Sequence, residues 1–114
     1  MSRERRRDNR TRIDWAALVR DTSGIIVAEM KNISRSGAFI RCDIPLEPRK
    51  RFKLHMMVPN HSPLKVNAEV AWVSVKCTEE GIPPCGMGVR FTRVSRSDRE
   101  CIYGHLQSPR NKYY

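Results

Sequence analysis

Apolar and polar side chains alternate along most of this chain. From Ile13 onward, Ile13, Trp15, Ala17 and Val19 alternate with Asp14, Ala16, Leu18 and Arg20, as far as the turn signal "DTSG". A period of two sends successive side chains to opposite faces of a strand, so the segment reads as a half-buried β-strand. The stretch "IIVAEMK" restarts the β-branched enrichment, "NISRSG" interrupts it and "AFIRC" resumes it, which predicts two short strands joined as a hairpin. Two prolines in "DIPLEPRK" exclude a central strand there, and "RFKLHMMV" then sets Phe52, Leu54 and Met56 against Arg51, Lys53 and His55. The longest strand signal is "LKVNAEVAWVSV", with Leu64, Val66, Ala68, Val70 and Trp72 on one side. After the break at "TEEGIPP", "CGMGVRF" supplies a last strand whose glycines suit a bulge or a close backbone approach.

Only near the C-terminus does the period lengthen. Ile102 and Leu106 stand four apart with Cys101 and His105 alongside, and Ser97 precedes Glu100 by three as a capping box, so one short helix is expected, weakened by Gly104. About six strands followed by a helix predict an all-β antiparallel barrel with an appended C-terminal α-helix. At 114 residues the chain has material for one core. The expected division is an arm over residues 1–12, the barrel and helix over 13–107, and a tail over 108–114.

Composition changes this picture mainly through charge. Residues 1–12, "MSRERRRDNRTR", hold six arginines and no apolar residue beyond the initiator. Such a segment cannot offset its ordering entropy by burial, so it is expected to be flexible until a partner orders it. The net charge of +10 recruits anions: nucleic acid, nucleotides, phosphates or an acidic membrane face. No stretch approaches the roughly 20 apolar residues that span a bilayer, and no apolar run follows the basic N-terminus as in a signal peptide. A cytoplasmic, free-standing module without membrane insertion is therefore expected. The four cysteines match no zinc-site spacing and are expected as thiols, Cys77 and Cys85 being the pair to check across their intervening loop. His55, His61 and His105 have no carboxylate or nucleophile at an interpretable spacing, which argues against an enzyme. Met30, Met56, Met57 and Met87 read as core filler, and Lys50, Arg51 and Lys53 as a solvated strand edge that discourages aggregation.

Two stretches carry candidate chemistry. In "NISRSG", a hairpin loop with a left-handed glycine is the plain reading. The functional reading is that Asn32 and Ser34, on one face of an extended segment, aim an amide and a hydroxyl at one ligand edge, while Gly37 lets the backbone turn away. The other stretch is "ERRRDNR", with Arg5, Arg6 and Arg10 spaced as RRxxxR.

Together with "AEVAWV" and "GMGVRF", these motifs resemble the PilZ domain, a bacterial receptor module for cyclic di-GMP. The family's RxxxR is matched by Arg6 to Arg10 and its (D/N)xSxxG by Asn32, Ser34 and Gly37. The resemblance implies a six-stranded barrel whose N-terminal arm folds over a ligand on the outer surface, with no further cofactor and no metal. It also implies that Arg5, just before the motif, favours two intercalated ligand molecules, and that Trp72 matches a tryptophan near the bases in some relatives; a core or rim role for Trp72 stays open. Arginine suits this ligand because its planar fork bonds bidentately to phosphate or to guanine O6 and N7 and also stacks on a base. The signal would pass to an unidentified downstream protein partner. Two other readings stay open: a nucleotide-independent PilZ-fold adaptor, and an RNA or single-stranded DNA binder, for which aromatic platforms are scarce.

Overall fold

The computed structural model describes residues 10–74 and 85–106. Six strands, β1 (Thr11–Asp21), β2 (Gly24–Ile33), β3 (Gly37–Arg41), β4 (Arg51–Met56), β5 (Leu64–Ser74) and β6 (Gly86–Arg93), precede one helix, α1 (Arg96–Leu106). The strands close into an all-β barrel in the order β1-β2-β3-β6-β5-β4, every neighbour antiparallel.

The period-two pattern decides which side chains fill this barrel. Trp15, Ala17 and Val19 of β1, Phe52, Leu54 and Met56 of β4, and Leu64, Val66, Ala68 and Val70 of β5 are all buried. Met30 and Met87 are fully buried among them, whereas Met57 is only half-buried. Helix α1 packs Ile102 into the same core and sets the His105 ring edge-on to Trp15, centroids 5.0 Å apart.

Four sequence expectations need correction. Trp72 does not continue the buried side of β5: the β5–β6 register shifts between Val70 and Trp72, and the indole emerges 50% exposed on the outside. An extra residue in a ladder turns every following side chain to the other face. The helix is capped by Ser95, whose Oγ accepts the Asp98 N–H at 3.1 Å, so the capping serine stands two positions before Ser97. Lys50, Arg51 and Lys53 do not mark a strand edge, because β4 is paired on both sides and a closed barrel has no edge. Instead Arg51 lies 3.7 Å from Glu69, and Lys50 lies 3.9 Å from Asp21.

Cys85 is disulfide-bonded, while Cys42 and Cys101 are free thiols that burial pushes above the ordinary cysteine range. The expectation of thiols throughout therefore fails at Cys85, since bridging follows Cα proximity, which spacing alone does not encode. Cys77 lies outside the described residues, as do the arm before residue 10 and the tail.

Two outcomes follow from this packing. Leu54→Ala, at a fully buried position, is expected to lower unfolding free energy by about 2–5 kcal/mol in urea denaturation. His55 is held below its ordinary pKa, first by burial and then by Lys65, Arg20 and Lys53. The unfolded chain thus binds more protons just below pH 6.5, so this residue's contribution makes stability fall as pH drops through that value and level off below the native pKa. Lys65→Gln should raise the His55 pKa in an NMR titration, and an unchanged value would remove the charge argument.

Candidate ligand-binding site

Strands β2 and β3 are joined by a two-residue turn, Arg35-Ser36, between Ser34 and Gly37. The Ser34 side chain closes that turn from within. Its hydroxyl donates to the Gly37 carbonyl at 3.2 Å and accepts the N–H groups of Ser36 and Gly37 at 3.3 and 3.2 Å, while the Ser34 N–H reaches the Gly37 carbonyl at 2.8 Å. Ser34 is completely buried, so what it determines is the shape of the turn.

Gly37 is needed for space rather than for a left-handed backbone. A Cβ there would overlap the Val89 carbonyl of β6, and the positive φ values among the described residues fall at Gly24, Arg49 and Asn60. The turn is further pinned to β6 by the Phe91 N–H, which donates to the Ser36 carbonyl at 2.8 Å.

Asn32 stands just before this turn, and its Oδ1 accepts two hydrogen bonds. One comes from the Phe39 backbone N–H at 3.2 Å and the other from the Arg10 guanidinium at 2.8 Å. Both partners are pure donors, which fixes the amide orientation: oxygen toward them, NH2 group left over. Among the described residues that NH2 group has no hydrogen-bond partner. Arg10 and Asn32, 22 positions apart in sequence, are therefore joined in space.

Beside this polar corner lies an aromatic one. The Phe39 and Trp72 rings stack with centroids 5.5 Å apart and planes 21° from parallel. Both residues face Gly88 of β6 in the ladders, and a Cβ at Gly88 would overlap the Trp72 indole. The platform thus exists because the middle strand carries no side chain at that point. Sequence reasoning missed Phe39; the signal was present as an aromatic residue seven positions after Asn32, on a strand paired to the glycine of "GMG".

Of the residues singled out in the sequence, Arg10 and Asn32 meet, Trp72 stacks on Phe39 at the outer surface, and Ser34 and Gly37 shape the turn. Arg5 and Arg6 lie outside the described residues. Among the described residues no cluster of His, Cys, Asp and Glu has the make-up of a metal site. None of their helices is long and apolar enough to cross a membrane.

A sequence profile of the PilZ domain matches residues 4–108. The chain belongs to the PilZ domain family. No curated protein sequence matches it. Among solved structures, the chain is similar to the Bacillus subtilis inhibitor of motility MotI/DgrA, with a TM-score of 0.76 and 16% identity over 96% of this chain and 53% of that one. It is similar to MrkH, described as a cyclic di-GMP-dependent transcription regulatory factor, with a TM-score of 0.76 and 18% identity over 94% of this chain and 52% of that one. The PilZ domain of Escherichia coli YcgR, solved with cyclic di-GMP, superposes with a TM-score of 0.70 and 13% identity over 96% of this chain and 99% of that domain. This PilZ chain therefore spans about half of MotI and MrkH and the whole of the YcgR domain. At these identities the likeness establishes the fold.

Gly88→Ala should displace Trp72 from Phe39 and alter near-ultraviolet circular dichroism while far-ultraviolet signal is retained. Gly37→Ala, which meets backbone rather than a movable side chain, should cost on the order of 1–3 kcal/mol or more in denaturant unfolding.

Proposed function

We propose that this PilZ protein is a cyclic di-GMP receptor that holds its ligand between the arginines of its N-terminal arm and the outer face of β2, β3, β6 and β5. The observation that carries the reading is the corner in which the Arg10 guanidinium meets Asn32 beside the stacked Phe39 and Trp72 rings. One small region thereby offers phosphate donors, a free amide NH2 and a flat aromatic surface. A guanine-bearing cyclic dianion asks for all three.

Each residue has a role in this reading. Arg6 and Arg10 bond phosphate oxygens or the O6 and N7 edge of a guanine. Asn32 supplies N–H donors to the same edge, since its oxygen is already occupied by Arg10 and Phe39. A carboxylate there would address the N–H edge instead and with a charge-assisted bond, so asparagine is expected to bind somewhat more weakly. Trp72 and Phe39 stack a base, a contact worth roughly 1–3 kcal/mol in single-stranded nucleic-acid binding. Ser34 and Gly37 hold the turn that positions Asn32. Arg5 adds a third guanidinium, which favours two intercalated ligand molecules per chain by neutralising their doubled phosphate charge.

Ligand binding also supplies a switch. Fixing residues 5–10 costs on the order of 1–2 kcal/mol each in backbone entropy. Several charge-assisted hydrogen bonds of roughly 1.5–3 kcal/mol each offset that cost only when the anion is present. The arm then closes over the barrel and presents a new surface to a downstream protein partner. Nothing in this mechanism makes or breaks a covalent bond, so the protein acts as a receptor rather than an enzyme.

Isothermal titration calorimetry tests ligand and site together. Cyclic di-GMP should bind the wild type at two molecules per chain, Arg5→Ala should reduce the ratio to one, and Arg6→Ala or Trp72→Ala should weaken binding at least tenfold. Absence of heat with the wild type at low ionic strength would overturn the reading in favour of a nucleotide-independent adaptor. Amide exchange in residues 3–12 should slow sharply on ligand addition, and unchanged exchange would remove the switch.

A further inference from the structure

We propose that Arg35, Arg93 and Arg99 form a second anion site, distinct from the Arg10–Asn32 corner, that takes a phosphate dianion or the terminal phosphate of a small monoester. The three guanidinium groups come from three elements, the β2–β3 turn, the end of β6 and the first turn of α1, and line one cavity of about 140 Å³. Phe91, Val94, Ile102 and Tyr103 supply its apolar wall, and no carboxylate lines it. At about 30 Å³ per water the space holds roughly four or five waters, enough for one tetrahedral oxyanion and part of its hydration.

What sets this group apart is that three arginines line one cavity that no carboxylate lines. Arg41 is paired with Glu29, and both Arg51 and Arg90 with Glu69. Arg35, Arg93 and Arg99 have no carboxylate partner among the described residues, yet they line the same cavity. Arg99 also sits near the helix N-terminus, where the peptide dipoles disfavour a cation and favour an anion. Arg35 is held with its Cζ 5.2 Å from the centroid of the Tyr103 ring. A cation–π contact of this kind holds the guanidinium without consuming its N–H donors as a carboxylate would. A bound dianion would meet guanidinium forks offered from three elements.

Arg35 belongs to the same turn as Ser34 and Gly37, so occupancy of this cavity adjoins the motif without using its arginine arm. The site therefore stands whether or not cyclic di-GMP is the ligand of the other.

Two-dimensional amide NMR of the full chain, titrated with inorganic phosphate at low chloride, tests the proposal. Saturable shifts should centre on Arg35, Ser36, Arg93, Arg99 and Tyr103. Arg99→Gln and Arg93→Gln should each weaken binding at least tenfold, while Lys65→Gln, which removes an equal charge from β5, should leave it within twofold. Parallel titrations with guanosine monophosphate and guanosine identify the source: shifts with the monophosphate tighter than with phosphate assign a monoester, and shifts with phosphate alone assign the free ion. Equal losses in all three variants would reduce the effect to net charge and overturn the site. Shifts that vanish once cyclic di-GMP saturates the chain, with Arg99→Gln also lowering cyclic di-GMP affinity tenfold, would assign these arginines to the nucleotide site and overturn its separateness.

Discussion

The close approach of β3 to β6 is the constraint on which the rest depends. Three glycines make it possible: a Cβ at Gly37 would strike the Val89 carbonyl, one at Gly86 the Ile40 carbonyl, and one at Gly88 the Trp72 indole. The seam closes the barrel between its two halves, and it also builds the outer surface. Because Gly88 carries no side chain, Phe39 and Trp72 from the flanking strands meet above it. Because Gly37 lies flat against β6, the turn between Ser34 and Gly37 is drawn in, and Asn32 is left beside Phe39 with its oxygen on the Phe39 N–H. Closing the core and forming the site are one packing event here, so a change at the seam disturbs both.

Charge is distributed on this scaffold by scarcity of acids. With 22 lysines and arginines against 12 aspartates and glutamates, many cations cannot find a carboxylate. The available acids serve the ladders: Glu29 takes Arg41 of β3 and Lys31 of its own strand, and Glu69 takes Arg90 of β6 and Arg51 of β4. The exposed Glu29 pairs contribute little stability, about 0–1 kcal/mol each, so their main effect is to neutralise. They leave unneutralised the positions around the β2–β3 turn, where Arg10 answers an amide and Arg35 an aromatic ring. Arg20, Lys53 and Lys65 form a second unneutralised group around His55, on the β1, β4 and β5 side of the barrel.

How much of this was legible in the sequence depends on whether a local rule or a tertiary one decides the residue. Strand alternation in β1, β4 and the first half of β5 was readable because one face of each is buried, and Leu54 or Val66 can lie only inward. Trp72 was not readable, since the register shift after Val70 is imposed by pairing with β6 and leaves no mark in β5 itself. The helix was visible from the spacing of Ile102 and Leu106, but its cap was misplaced between two nearby serines that differ only in backbone conformation. At the site, the spacing of Asn32, Ser34 and Gly37 identified the motif, but the direct bond between Asn32 and Arg10 was not foreseen, since the resemblance placed both against a ligand rather than against each other. The division of labour did not: Ser34 looked like a second ligand donor, yet its hydroxyl is consumed by Gly37 and Ser36.

That division of labour explains how three positions of one turn shape a polar corner on the barrel surface. Ser34 and Gly37 act through geometry, one by hydrogen-bonding the turn shut and the other by admitting β6 to van der Waals contact. Asn32 acts through chemistry, and only because the other two fix where it stands. Of the two intervening residues, Ser36 joins the closure through its backbone, donating to Ser34 Oγ and accepting from Phe91, whereas the exposed Arg35 side chain makes no bond within the turn. In Arg35 that freedom is taken up by Tyr103 of α1, which links the motif turn to the C-terminal helix across the end of β6. The turn and α1 are thereby in direct contact, through one guanidinium and a shared cavity wall.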